Sequence, residues 1–314
     1  MLNLLQECEG AKTIGISGHI RPDGDCVGSC MALYLYLRKA FPEAGITVYL
    51  EEQAKNFHHI AHIRDIVSGP IKEESFDVFF CLDSMPDRMG EAVPAFERAK
   101  KKINIDHHIT NPGCGDVFYV DAGIGSCAEL IYNLIPEEAL DTDIAKALYI
   151  GMIHDTGVFQ FSNTRPSTML AAAKLMQYPI DFANLIQESF YEKSYKQTKL
   201  MAESILRSHM YLEGKCLISY VTLKDMAAFQ ANANDFTGTI NRLKTVRGVE
   251  CAVFMYETEP GGYQVSMRTS DRVDAAKIAA VFGGGGHVKA AGCSISGTPE
   301  EVIAKLLTEV STQV

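Results

Sequence analysis

Tryptophan is absent from this chain, and its nine cysteines are scattered with no CxxC pair among them. Without paired spacings the thiols build neither a zinc ribbon nor a dithiol redox motif, and an odd count fits free thiols in a reducing cytosol. No apolar run approaches the ~20 residues that span a bilayer. The opening residues carry Glu7 and Glu9 and no basic segment, so no secretory signal is expected and the reading is a cytoplasmic protein. Positive charge is also scarce: 29 Lys and Arg against 39 Asp and Glu leave a net charge of −10. That balance excludes a general grip on long duplex nucleic acid, which needs a basic surface. It does not exclude a small anion held by metal ions and a few arginines. Internal repeats and low-complexity tracts are missing too. What is present, 314 residues with 47% hydrophobic and 22% charged content, suits a globular protein with two sizeable cores.

The stretch that organises the chain runs from Ser17 to Ser29, SGHIRPDGDCVGS. It follows an apolar strand, Thr13 to Ile16, and leads into a helix, Cys26 to Ala40. Three potential metal ligands, His19, Asp23 and Asp25, lie in this one turn. A helix could not gather them, because Asp25 would point about 200° away from Asp23. Pro22 and Gly24 predict a loop, which can turn all three inward. Uncompensated, such a convergence would cost several kcal/mol per buried charge.

The same arrangement recurs downstream. Asp77 to Leu82 reads as a strand that delivers Asp83 at its C-terminal end, and Lys101 to Ile105 delivers Asp106, His107 and His108. Ligands of open α/β folds bind at that edge of the sheet. Adjacent histidines point in different directions, so one would bind metal while the other meets substrate, with Asp106 fixing a histidine tautomer. Helices are expected over 126–135 and 141–154, the second ending at Asp155, a further ligand, beside His154. Strand and helix alternate across residues 13–155, which predicts a parallel sheet with covering helices. Between these elements, Ile46 to Leu50 reads as a second strand and Glu51 to Gly69 as a polar surface helix. His58, His59 and His62 lie in that helix without a carboxylate or cysteine pattern to make them a metal site.

The second half reads as helices over 167–177, 181–190 and 195–210, then short strands over 216–221, 249–257 and 263–268 with helices over 223–229 and 274–282. The boundaries expected are a first domain over 1–190, a connecting helix over 191–214 and a smaller α/β domain over 215–314. The run GGGGHVKAAG from Gly283 to Gly292 can be a backbone cradle for an anion, with His287 adding a donor, or a tight turn where backbones pack closely.

In this order, His19-x-x-x-Asp23-x-Asp25, Asp83, Asp106-His107-His108 and Asp155-Thr156-Gly157 resemble the four signature motifs of the DHH phosphoesterase superfamily. GGGGHVKAAG resembles the signature of the DHH-associated C-terminal domain. The resemblance implies an α/β protein whose active site lies in the cleft between a parallel-sheet catalytic domain and a smaller substrate-binding domain. It also implies two divalent metal ions, usually manganese. His19, Asp23 and Asp83 would hold the first; Asp25, Asp83, His107 and Asp155 would hold the second, with Asp83 bridging. The four carboxylates then offset the two ions, and the mixed donors suit manganese without excluding iron, cobalt or magnesium. His108 would contact the substrate phosphate, with Asp106 behind it. Gly284, Gly285, Gly286, His287 and Arg268 would bind substrate; Arg242 and Arg247 have less pattern behind them.

Manganese pyrophosphatases lack the second signature, RecJ-type exonucleases are longer, and membrane-bound cyclic-di-AMP phosphodiesterases carry transmembrane segments. What remains resembles the compact nanoRNase and pAp phosphatase group, NrnA-like. The implied partner is a short RNA oligonucleotide or a small nucleotide such as 3′-phosphoadenosine 5′-phosphate (pAp), with no long duplex and no membrane. A homodimer stays open. The alternatives are a cyclic-di-AMP or pApA phosphodiesterase and, from another class, a non-catalytic nucleotide sensor.

Overall fold

In the computed structural model, which describes residues 2–72 and 75–314, the chain forms two compact units, Met1–Glu192 and Lys193–Val314. The first contains α1 (Leu4–Glu7), β1 (Thr13–Ser17), α2 (Gly24–Ala40), β2 (Gly45–Tyr49), β3 (Val78–Leu82), α3 (Val93–Arg98), β4 (Lys101–Asp106) and β5 (Val117–Val120). Then follow α4 (Cys127–Leu134), α5 (Thr142–Asp155), α6 (Pro166–Leu175) and α7 (Phe182–Ile186). Its five strands are all parallel, in the order β2-β1-β3-β4-β5. Strand order reverses between β1 and β3, the place where open α/β sheets of this order bind ligands.

Parallel strands covered on both faces read as continuous apolar runs, and β3 is buried throughout. One face packs against α2, α4 and α5, the other against α3 through Phe76, Phe79 and Phe96. Every residue of α2 from Gly24 to Leu37 is buried, so this helix has no solvent stripe. It approaches α5 closely because residue 28 has no side chain: a Cβ there would stand 2.6 Å from the Ala147 carbonyl oxygen. That contact draws the N-terminal turn of α2 toward the C-terminal turn of α5.

The expected surface helix over 51–69 is not there. The segment folds as two 3₁₀ turns, Glu52–Asn56 and Ile63–Asp65, and His62 adopts φ of 60°. Ile60, Ile63 and Ile66 are all buried, and the left-handed His62 between the first two redirects the chain instead of letting a helix continue. His62 pairs with Asp65, whereas His58 and His59 meet Glu188, a carboxylate remote in sequence. Glu188 belongs to a π-helical turn, Gln187–Tyr191.

The second unit contains α8 (Tyr195–Leu206), β6 (His209–Tyr211), β7 (Cys216–Val221), α9 (Leu223–Ala228), α10 (Thr239–Lys244), β8 (Cys251–Glu259) and β9 (Gly262–Thr269). It ends with α11 (Ala275–Val281), β10 (Gly285–His287), β11 (Ala290–Ser296) and α12 (Pro299–Ser311). The sheet order is β10-β11-β9-β8-β7-β6, parallel only between β7 and β8. α11 and α12 cover one face through Ile278, Val302 and Leu306; α8 and α10 cover part of the other through Leu200, Ile240 and Leu243. Helix α8 packs within this unit, and the residues after it form β6 instead of prolonging it to Met210. No helix among the described residues is long and apolar enough to cross a membrane.

Candidate metal centre and phosphate-binding face

His19, Asp83 and the Asp106–His108 triplet leave the C-terminal ends of β1, β3 and β4, three adjacent strands, so sheet geometry alone brings them together. Asp23 caps α2, its Oδ1 accepting from the amides of Asp25 and Cys26 at 3.0 and 3.1 Å. The buried Asp25 carboxylate accepts from the amides of Cys127 and Ala128, at 2.7 and 2.9 Å, at the N-terminus of α4. Asp155 closes the group from the end of α5, its Oδ2 accepting from Asn163 at 2.7 Å.

Around Asp83 the imidazoles and carboxylates stand slightly too far apart for hydrogen bonds. His19 Nε2 lies 3.5 Å from Asp83 Oδ2 and 3.8 Å from Asp23 Oδ1. His107 Nε2 lies 3.4 Å from Asp83 Oδ1, 3.7 Å from Asp25 Oδ2 and 3.8 Å from Asp155 Oδ2. Two ligands about 2.1 Å from one cation are themselves about 3–3.6 Å apart, which is near this spacing. Oδ1 of Asp83 is buried and accepts no hydrogen bond among the described residues. His19 Nδ1 donates to the Ile20 carbonyl at 2.8 Å, which leaves Nε2 as the basic nitrogen facing the carboxylates. Asp83 also holds φ of 52°, a costly backbone state for a side chain that the sheet end must aim inward.

Electrostatics point the same way. Burial, reinforced by the charges of Asp83 and Asp155, raises Asp25 well above the usual carboxylate range. Burial likewise pushes Asp155 up to about 6. Burial pushes the imidazoles down, but the carboxylates outweigh it: Asp23 and Asp83 raise His19 to about 12, and Asp83 with its neighbours raises His107 to about 10. Asp25, Asp155 and the two imidazoles thus favour their protonated forms, while His19 outweighs burial at Asp23 and holds that carboxyl down at about 2, as expected where protons stand in for a cation among several carboxylates. The donor set, orphaned oxygen and spacing therefore fit divalent metal ions.

His108 is set apart by its own support. Its Nδ1 donates to Asp106 Oδ1 at 2.7 Å, and Asp106 Oδ2 accepts from Asn111 at 2.6 Å. Asn111 also donates to Asn104 Oδ1, while the Asn104 amide donates to the carbonyls of Cys81 and Ser84.

In the second unit, Arg268 pairs in register with Ala290, which pairs with His287. Residues directly opposite one another face the same side of a sheet, so Arg268 and His287 share a face, two strand spacings or about 10 Å apart. The guanidinium donates to Asn241 Oδ1 at 3.1 Å and to the Met267 carbonyl at 3.0 Å. The glycine run is a strand and not a free loop: Gly285, Gly286 and His287 form β10 against β11. A Cβ at Gly284 would lie 2.2 Å from the Gly292 carbonyl oxygen, so close backbone packing is what residue 284 requires. A Cβ at Gly285 would meet nothing within 4 Å, and Gly285, Gly286 and His287 are exposed.

The comparisons with known proteins agree with this construction. The model of the DHH family N-terminal domain matches residues 13–152, and that of the DHHA1 domain matches residues 213–314. A bifunctional oligoribonuclease and PAP phosphatase, NrnA, of Thermus thermophilus is 32% identical over 300 residues, covering 94% of this chain and 87% of its own length. The chain belongs to the DHH family. The NrnA of Bacillus subtilis is 29% identical over 289 residues, covering 90% of this chain and 89% of its own. Among solved structures, an exopolyphosphatase-related protein from Bacteroides fragilis superposes with a TM-score of 0.89 at 23% identity, covering 98% and 94% of the two chains. RecJ from Thermus thermophilus, solved with Mn2+, superposes with a TM-score of 0.57 at 13% identity, covering 98% of this chain and 53% of RecJ. This DHH protein is thus a metal-dependent phosphoesterase of two α/β domains.

Sequence reasoning missed three asparagines of this DHH centre. Asn104, Asn111 and Asn163 reach their partners only through the fold, though Asn104 and Asn111 flank the DHH triplet. Asn111→Ala should lower kcat about 10- to 100-fold, the usual effect of removing a group that orients a site residue. It should also cost about 1–3 kcal/mol of stability, because buried Asp106 Oδ2 and Asn104 Oδ1 lose their donor. Unchanged kcat per folded molecule would remove the positioning role.

Proposed function

We propose that this DHH phosphoesterase hydrolyses very short oligoribonucleotides to mononucleotides, and pAp to AMP and phosphate. One observation carries the reading: the ligand group around Asp83 occurs in a chain alignable over 94% of its length with an oligoribonuclease and PAP phosphatase. In this reading His19, Asp23 and Asp83 hold one divalent cation, and Asp25, Asp83, His107 and Asp155 hold the other. When bound, the two ions supply Lewis-acid stabilisation of phosphoryl charge and a water of lowered pKa for in-line displacement. Manganese is our first choice, supported by the mixed donors and by the Mn2+ in RecJ.

The protein's own groups do the positioning. His108, held through Nδ1 by Asp106, orients and neutralises a phosphoryl oxygen of the scissile group. The Cys127 and Ala128 amides hold the Asp25 carboxylate in place, and the Asn163 side-chain amide holds that of Asp155. Arg268, His287 and the exposed backbone of Gly285 and Gly286 bind a phosphate of the substrate that is not cleaved. The net charge of −10 disfavours longer strands.

Assays with Mn2+ on dinucleotide RNA, pAp, pApA and cyclic-di-AMP, run side by side, test the substrate. Dinucleotide RNA and pAp should give the highest kcat/KM. Turnover confined to pApA and cyclic-di-AMP would overturn the substrate assignment, and absence of both bound metal and turnover would favour a nucleotide sensor.

A further inference from the structure

Glu129 is the third residue of α4, wholly buried, in the run Ser126-Cys127-Ala128-Glu129. That is the spacing of a capping box, in which the glutamate returns to the amide of the cap residue. Here the side chain reaches one residue further back. Its Oε2 accepts from the Gly125 amide at 3.2 Å and from the Thr168 hydroxyl at 2.6 Å. Thr168 is equally buried, at the third position of α6, and its oxygen accepts from the Arg165 amide at 3.1 Å. A Cβ at Gly125 would lie 2.8 Å from Thr168 Oγ1 and 3.1 Å from Glu129 Oε2, so residue 125 is clasped between them. The other carboxyl oxygen of Glu129, Oε1, is buried and accepts no hydrogen bond among the described residues.

The clasped segment supports two members of one ligand group. The Cys127 and Ala128 amides, just beyond it, hold the Asp25 carboxylate. The Gly125 carbonyl accepts from Asn163 Nδ2 at 2.8 Å, and the same nitrogen donates to Asp155 Oδ2 at 2.7 Å. Asp25 and Asp155 gather with His107. His19 and Asp23 are supported elsewhere, by the Ile20 carbonyl and by the first amides of α2. A carboxyl group buried with one oxygen bare costs stability, and apolar replacements of buried charged groups are often neutral or stabilising. Capping α4 alone would not call for such a group, whereas placing residues 125–128 against Asp25 and Asn163 does.

We propose that Glu129 is a positioning residue for the second cation, the one assigned to Asp25, Asp83, His107 and Asp155. It touches neither that ion nor the substrate. It acts by two routes, through the α4 amides on Asp25 and through Gly125 and Asn163 on Asp155. The first cation, on His19, Asp23 and the shared Asp83, does not depend on it. This inference rests on the two-cation reading above and makes the junction of α4 with α6 the part of the fold that tunes one position and not the other.

Calorimetric titration of the metal-free full-length chain with Mn2+ tests it. Wild type should show two binding events. Glu129→Met, unbranched and of similar size, should weaken one of them about tenfold or more and leave the other unchanged, and Asn163→Ala should weaken the same one. Because both residues act along one chain of contacts, the double variant should lose clearly less than the product of the two single losses; independent effects would multiply. Glu129→Gln still offers an oxygen to Gly125 and Thr168 and should keep most of the affinity. Should Glu129→Met fail to fold, Thr168→Val, which removes the hydroxyl that Oε2 accepts from, carries the same prediction. Wild-type affinities in the folded variants, equal weakening of both events, or losses that multiply in the double variant would overturn the positioning role and leave the two cations standing. Fewer than two events in wild type would overturn the two-cation reading, and this one with it.

Discussion

Asp83→Asn should lower turnover on the order of 10³-fold or more while the chain stays folded. The magnitude follows from the several kcal/mol that bound cations supply to a phosphoryl transition state, at about 1.4 kcal/mol per tenfold. Asp83 is the residue whose two oxygens face different partners, Oδ2 toward His19 and Oδ1 toward His107. Losing its charge therefore weakens both ligand groups at once. Asparagine is the informative replacement. It keeps the volume of a fully buried side chain, and it tolerates the left-handed backbone that residue 83 adopts at φ of 52°. A thermal readout accompanies the kinetic one. Wild type should gain about 2.7 kcal/mol of stability from Mn2+ at a hundred times its dissociation constant, and the variant should lose most of that gain. Activity within tenfold of wild type, or an undiminished Mn2+-induced rise in Tm, would remove Asp83 from the bridging position.

The parallel sheet was legible because β1, β3 and β4 are buried on both faces and each apolar run ends in an ionisable residue. β5 was not: Val117–Val120 is a four-residue edge strand, partly exposed, so its pattern is too short to stand out. In the second unit, β11 hides in Ala-Ala-Gly-Cys-Ser-Ile-Ser, where small residues blunt the period-two contrast. α12 is a different failure. Pro299 at its first turn and the capping box of Thr298 with Glu301 mark it in the sequence, although it lies beyond the last expected helix, 274–282. The 51–69 segment is polar in composition but not a solvated helix, because its three isoleucines, Ile60, Ile63 and Ile66, are drawn into the core along a path that His62 breaks.

At the site, whatever the chain presents at a strand end could be named from the chain. His19, Asp83 and His107 converge because a parallel sheet delivers its C-terminal ends to one edge, and Asp23, Asp25 and Asp155 join them from the start of α2 and the end of α5, helices that Gly28 lets pack closely. The supports could not be named. Asn163 sits far in sequence from the Gly125 carbonyl it holds, and the α4 amides lie about a hundred residues from Asp25. The glycine run shows the limit of a motif, which marked residues 283–292 as special but left open whether backbone packing or anion binding explains them. Backbone packing against β11 accounts for Gly284 and Gly286, whereas Gly285 is exposed with open space around it and is where the proposed anion contact would fall.

Arg268→Ala should raise KM for dinucleotide RNA and pAp about 10- to 100-fold, with kcat lowered far less. A charge-assisted hydrogen bond to phosphate contributes about 1.5–3 kcal/mol, which converts to that range. The guanidinium is held ready, with Nε on Asn241 and Nη1 on the Met267 carbonyl. Two of its five N–H donors are thereby used to orient the fork, and the remaining three are available to an anion. Burial lowers the pKa of Arg268 from its ordinary value, yet a guanidinium stays charged at any pH the protein tolerates, so the effect should not depend on pH. Asn241 is exposed and can exchange its lost partner for water, so Tm should change little. Arg268→Lys restores charge without the fork and should recover only part of the affinity. The discriminating control is 4-nitrophenyl phosphate, a phosphoester with no second phosphate. Its KM should be the same in wild type and Arg268→Ala, because it carries no second phosphate for the arginine to hold. An equal rise in KM for this substrate and for pAp would mean that Arg268 supports the fold or the metal centre instead of gripping the uncleaved phosphate, and unchanged constants for all three would remove it from substrate binding altogether.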